Sequence, residues 1–485
     1  MLALFFLLAA DTVVVPATVA TPLADACERD DLAAARALLE AGHPVDERQP
    51  DGMTALHWAV RHERDDLAAR LLAAGADPQA TTEYSITPLA IACENGDGAL
   101  VRRLLEAGAD PLDRIPTRQT MLMVAARTGS PEVVRQLLAA GVPVDARESR
   151  DQTALMWAAA EGNVAAVRLL LEAGADVSLK STNGFTALLF AARHGRRDVA
   201  AALLEGGADV GGIIRPKETW GRNPRDRMSP LLFAVESGHF ALALDLVAAG
   251  ADPDDQRSGY TALHALTWVR RADRGDGVTG DPEPRGSGEV SSLEFVRRLV
   301  AAGADVNTQL TRGKPAKATL TKKGATAFLM AAETADLPLL KTLLECGADP
   351  TIANADNCTA LLAAAGIGVR SLVDEDPGTE PEVVATVEWL LSLGLDINHR
   401  DGNGETVMHA AAYRNYPGEV VRLAELGADP AVWNRPNAHG WTPRDIARGK
   451  RPGAFKPSPP TIAAIERLLD DAGMQNGELR EATDD

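Results

Sequence analysis

One interval constrains this chain more than any other: 33 residues. Helix-capping candidates fall at Thr21, Thr54, Thr87, Thr120, Thr153 and Thr186, each 33 residues after the last, and the step from Thr326 to Thr359 repeats it. Ser229, Thr261, Thr406 and Thr442 complete the series with irregular gaps. A fixed period of this length marks a stack of supersecondary units in which each unit buries its apolar face only against its neighbours.

The stretch Asp151 to Val177 shows what the unit is. The Thr153 hydroxyl is placed to accept from one of the first unpaired N–H groups of a helix. Leu155 to Ala160 are small and apolar, and Glu161-Gly162-Asn163 breaks the run. Val164, Val167, Leu170 and Leu171 then recur at helical spacing. Gly174 stands where the second helix needs a left-handed terminator. At 4% aromatic content, with Ala and Leu abundant, thin helices fit the composition better than a barrel or sandwich.

The best-formed starts are Thr54-Ala55-Leu56-His57-Trp58-Ala59, Thr87-Pro88-Leu89 and Thr261-Ala262-Leu263-His264. Endings recur as Gly75-Ala76-Asp77, Gly108-Ala109-Asp110, Gly303-Ala304-Asp305 and Gly427-Ala428-Asp429. In these motifs residues 21–470 resemble the ankyrin-repeat family, and the Ala-, Arg- and Asp-rich composition, the apolar N-terminus and the long insertions resemble its exported bacterial members. The expected fold is all-α: an α-solenoid of about twelve stacked helix-turn-helix repeats with hairpin fingers, capped at both ends. The resemblance further implies that His57, His264 and His409 hydrogen-bond between neighbouring hairpins, and it implies a right-handed stack.

The remaining segments are read as follows. Residues 1–20 resemble a signal peptide, with an apolar run from Leu2 to Ala10 and a possible cut after Ala20, although no positive residue precedes the run. That places the mature chain in the periplasm or outside the cell; without export it is cytoplasmic. Residues 471–485 read as an acidic, disordered tail. Inserted loops interrupt the period at about 211–227, 270–290, 307–325 and 366–381, and such insertions become loops on one face of a solenoid.

A net charge of −19 argues against nucleic acid and anionic membranes as general partners. Cys27 and Cys93 sit two units apart, too far to bridge, whereas Cys346 and Cys358 flank one hairpin and are open to either state. Neither Gly-x-Ser-x-Gly nor His-Glu-x-x-His occurs, no cysteine spacing suits zinc, and no cofactor or catalytic residue is expected.

Two candidate surfaces remain. The residue before each capping Thr or Ser faces the groove of an ankyrin-like stack, giving the column Met53, Ile86, Gln119, Gln152, Phe185, Met228 and Tyr260, continued by Ala325, Cys358, Glu405 and Trp441. Exposed, it is a protein-binding stripe; otherwise each residue packs on its own hairpin. Trp58, Trp157, Phe190 and Phe233 share an inner-helix position that reads as core or half-buried. The second surface is basic: Arg215, Lys217 and Arg222 in one long finger, then Arg312, Lys314, Lys317, Lys322 and Lys323 in another, suited to an acidic partner, an anionic polysaccharide or lipid headgroups. Together these features suggest a monomeric, non-catalytic scaffold for an unidentified protein. A periplasmic carrier or chaperone for an enzyme or cofactor, or a secreted effector acting on host proteins, are the alternatives.

Overall fold

The computed structural model describes residues 21–215, 226–271, 289–313, 320–367, 378–451 and 456–477. The N-terminal segment 1–20, the end of the acidic tail and most of the inserted loops lie outside the described residues. The chain divides into two compact units, Met1–Ser181 and Thr182–Asp485.

Among the described residues the first unit is five helix hairpins, from Pro22–Glu28 with Leu32–Glu40 to Ala154–Glu161 with Val164–Glu172. The second holds seven, from Ala187–Arg193 with Arg197–Glu205 to Pro443–Ala447 with Pro459–Asp471. Every described element longer than a bridge is a helix. Nine capping threonines accept a bond from the N–H three residues on, as Thr153 does from Met156 at 3.4 Å. Thr21 and Ser229 depart from that expectation: neither accepts a helix N–H, and the Thr21 hydroxyl donates to Asp25 instead.

Within each unit a hairpin buries leucines, valines and alanines between itself and the next, Val167 and Leu170 with Leu155 and Met156 in the Thr153 repeat. The C-terminal helix covers the last repeat with Ile465 and Leu469, while Ile462 and Leu468 stay half-exposed. The aspartates that close the repeats are structural. In Gly-Ala-Asp the carboxylate of Asp176 takes the Ser178 N–H, and the Asp176 N–H goes to Asp145 of the same finger edge, one repeat earlier. The same pairing joins Asp46 to Asp77, Asp254 to Asp305, Asn307 to Asp349 and Asn398 to Asp429.

The same backbone bond closes short and long fingers, and in the long ones a second bond runs back across the base. Thr82 N–H donates to Ile86 O, and Glu148 N–H to Gln152 O. In the two long fingers Ile214 N–H reaches Met228 O and Leu310 N–H reaches Ala325 O. The finger bases are therefore regular, and the insertions expected at 211–227 and 307–325 begin beyond them. The insertion expected at 366–381 also contracts, because a 13-residue second helix already starts at Glu380.

Close packing of neighbouring fingers places one glycine in each of two situations. Gly52 has φ +84, and a Cβ there would lie 2.8 Å from Thr82 Cα. Gly174 has φ +85 but its Cβ would meet nothing. Gly52→Ala is therefore expected to lower stability by about 2 kcal/mol or more, against about 1 kcal/mol for Gly174→Ala, which carries the backbone term alone. Chemical denaturation of the two variants checks this; equal losses would remove the steric argument.

Among the described residues a few arginines reach past the nearest neighbour. Arg414, at the end of the helix Val407–Arg414, donates to Ala364 O one repeat back and to Glu333 O two repeats back, both at 3.2 Å. The intervening helix Ala360–Ala365 has only six residues and stops at Gly366, where a Cβ would collide with the Arg414 side chain. Arg271 spans two repeats in the other direction, from Thr334 O to Glu382.

Candidate partner-binding surface

The pre-cap column is not a continuous exposed stripe. Met53, Phe185, Met228 and Tyr260 are buried, as are Ala325, Cys358 and Glu405. Only Ile86, Gln119, Gln152 and Trp441 keep part of their surface. Side-chain packing explains the correction. The large pre-cap side chains find partners on the inner helices. Phe185 packs against Phe190 and Phe233 with ring centroids 4.9 Å and 5.3 Å away. Tyr260 meets Trp268 edge-on at 4.9 Å and donates its hydroxyl to Glu236 at 2.6 Å.

The basic fingers contract as well. Arg215, Arg312 and Lys323 are exposed. Lys322 is half-buried in an ion pair with Glu333, so it is already engaged, contrary to its expected role as a free cation. Lys217, Arg222, Lys314 and Lys317 lie outside the described residues.

The inner helices of the first unit offer Trp58 and Trp157, both half-buried. Trp58 donates its indole N–H to Gln49 Oε1 at 2.6 Å, stacks on His62 with centroids 5.8 Å apart, and carries the Arg61 guanidinium 5.8 Å over its ring. In the second unit Phe190 is half-buried and Phe233 buried. Sequence reasoning missed the most exposed aromatic among the described residues. Tyr84 is 72% exposed at the tip of the finger that Ile86 closes, with Ser85 in left-handed backbone beside it. The column was read at the pre-cap position, and the tip lies two residues earlier. Its signal was available: a large aromatic in the polar run Thr81-Thr82-Glu83-Tyr84-Ser85. Leu112, 53% exposed in the turn after Asp110, was missed for the same reason.

The histidines behave as bridges. His57 Nδ1 lies 2.9 Å from Thr54 Oγ1 and its Nε2 3.1 Å from Ile86 O of the next finger. His264 and His409 repeat this, with Nε2 3.1 Å from Ala325 O and from Arg435 O. A carbonyl only accepts, so Nε2 carries the proton and Nδ1 is left to accept from threonine. Burial holds all three neutral, with His264 and His409 lowered to about 4. All four cysteines are free thiols, and burial raises each of them. Among the described residues no three His, Cys, Asp or Glu side chains are grouped to hold a metal, and no helix is long and apolar enough to cross a membrane.

Family models for ankyrin repeats match residues 4–82, 69–148 and 122–214, and again 390–447. The chain belongs to the ankyrin-repeat family. The crystal structure of the human ASB11 ankyrin repeat domain is 27% identical to it, over 48% of this chain and all of that one, with a TM-score of 0.41. Ankyrin repeats are in general protein-interaction modules. The described hairpins, threonine caps and bridging histidines are thus ankyrin architecture, and individuality has to be sought in what the architecture leaves exposed.

Proposed function

We propose that this ankyrin-repeat chain is a non-catalytic scaffold that binds a protein partner through the finger edge and inner helices of its first unit. The observation that carries this is Tyr84. A tyrosine 72% exposed at a finger tip, beside the half-exposed Ile86, supplies a rigid amphipathic anchor at low entropic cost. Gln119 and Gln152 continue the edge with adaptable hydrogen-bonding groups, and Trp58 and Trp157 offer partly exposed rings on the inner helices. The buried residues Met53, Phe185, Met228 and Tyr260 hold the fingers in place and are not contact residues.

Changing Tyr84 to Ala together with Ile86 to Ser is expected to weaken partner capture at least tenfold, the effect of losing one or two interface anchors. Quantitative pull-down from the native source with the wild-type chain as reference measures it, and circular dichroism checks that the helices are intact. Equal capture by a folded variant would remove the first unit's finger edge from the interface. Export belongs to the same reading. Its support is the apolar segment 1–20, and a cut after Ala20 would leave Thr21 and the whole first hairpin in place. A native chain beginning at Thr21 in N-terminal sequencing is the expected result; a chain that retains residues 1–20 would place it elsewhere.

A further inference from the structure

The Thr406 repeat contains two buried carboxyl groups that no cation touches. Glu405, at the end of its finger, is 3% exposed. One oxygen accepts from two neutral donors, the Tyr413 hydroxyl at 2.8 Å on its own repeat and the Asn437 amide at 2.8 Å on the following finger. Asn437 in turn accepts the N–H groups of His439 and Trp441, so Glu405 ties the Thr406 hairpin to the Thr442 finger. The charged group beside it is Asp401 on the same finger, and the Cys358 thiol of the preceding repeat lies within the field of both carboxylates. On the Tyr413 side the charged neighbour is Arg451.

Glu419, on the second helix Pro417–Glu425 of the same repeat, is equally buried, and neither of its oxygens has a hydrogen-bond partner. Arg414 and Glu380 are the charges that act on it. Glu380 faces it from the preceding repeat, through a bond from the Glu419 N–H to the Glu380 carboxylate at 3.0 Å.

Glu405 keeps neither its water nor a counter-charge, and at Glu419 burial outweighs the attraction of Arg414, so in both the protonated form is favoured. We propose that the Thr406 hairpin is a pH-gated element: with Glu405 and Glu419 protonated it is locked between its neighbours, and their ionisation loosens it together with the Thr442 hairpin. The two groups sit on opposite edges of one hairpin, so both act on how that hairpin docks. Burial raises Glu405 to about 7 and Glu419 well above the ordinary glutamate range. A folded-state value raised above the unfolded one means that the stabilisation is complete below the unfolded value, near 4.5, and is lost as pH rises through 7. His409, on the same hairpin, has the opposite sign: its contribution is complete above 6.5 and is lost as pH falls from there towards its value of about 4.

The test is hydrogen exchange of the full chain at pH 6 and pH 8.5, corrected for the intrinsic pH dependence of exchange. Peptides spanning 401–447 are compared with peptides from the Thr54 hairpin. Between pH 6 and pH 8.5 ionisation of Glu405 alone lowers protection of the 401–447 peptides about tenfold while His409 raises it about fourfold, so in the wild type protection should fall at least about twofold at pH 8.5. The Thr54 peptides should not follow. In Glu405→Gln with Glu419→Gln the fall should vanish, because the amides stay neutral. Wild-type protection that is flat between the two pH values overturns the proposal, whatever the variant does. So does an equal fall in a variant whose protection at pH 6 matches the wild type.

Discussion

Truncating Phe295 to alanine is expected to destabilise the second unit by about 3–5 kcal/mol. Phe295 is fully buried on the second helix of the Thr261 hairpin, Ser292–Ala301, and its ring stacks on Phe240 of the hairpin before it, centroids 5.0 Å apart. The substitution removes a ring shared by two repeats, leaving a cavity whose walls belong to both. In a stack where each repeat leans on its neighbours, the loss should spread by adjacency. Hydrogen-exchange protection should fall most in the Ser229 hairpin, Pro230–Glu236 with Phe240–Ala248, and in the Thr261 hairpin, then in the one that follows. Urea unfolding gives the total. A loss under about 1 kcal/mol, or one uniform along the unit, would contradict the packing described.

Acid is expected to have the second large effect. His264 and His409 are held neutral at about 4 by burial, below their ordinary value of 6.5. The unfolded chain therefore takes up protons first as pH falls. The stability these groups carry is complete above pH 6.5, is lost on going down from there, and levels off below pH 4. Each contributes on the order of 3 kcal/mol over that window. His264→Asn should be less stable than wild type at pH 7 by about 2 kcal/mol, since Ala325 O and the Thr261 cap lose a buried partner. At pH 4 the gap should close, because asparagine does not titrate. Denaturant titrations at the two pH values decide it. A gap that stays constant would mean that His264 is not held neutral.

The fold was legible because a solenoid repeats its local rules. Thr153, Gly162 and Gly174 do in the structure what their chemistry requires, and the threonine and the closing glycine recur at 33-residue steps from Thr21 to Gly207. The bridging role of His57, His264 and His409 was equally accessible, since it is fixed by a local cap and one carbonyl of the next repeat. The surface was harder. Whether a pre-cap side chain faces solvent depends on its size and on the inner helix of its neighbour. Phe185 and Tyr260 found aromatic or carboxylate partners there, whereas Ile86 and Gln152 did not bury fully. Glu405 stood in the same column, and its burial follows from Asn437, a residue of the next finger. Arg414 was invisible to any nearest-neighbour reading. Its reach to Glu333 needs a shortened helix at Ala360–Ala365, which the sequence marks only by Gly366.

The central claim is that the first unit's finger edge meets a protein. Site-specific photo-crosslinking tests it most directly. A photoreactive phenylalanine analogue replaces Tyr84 in one chain and, as control, Val421, an exposed apolar residue of the second unit. Position 84 should yield a discrete cross-linked protein in the native source and position 421 should not. No product from position 84, or the same product from both positions, would contradict the account.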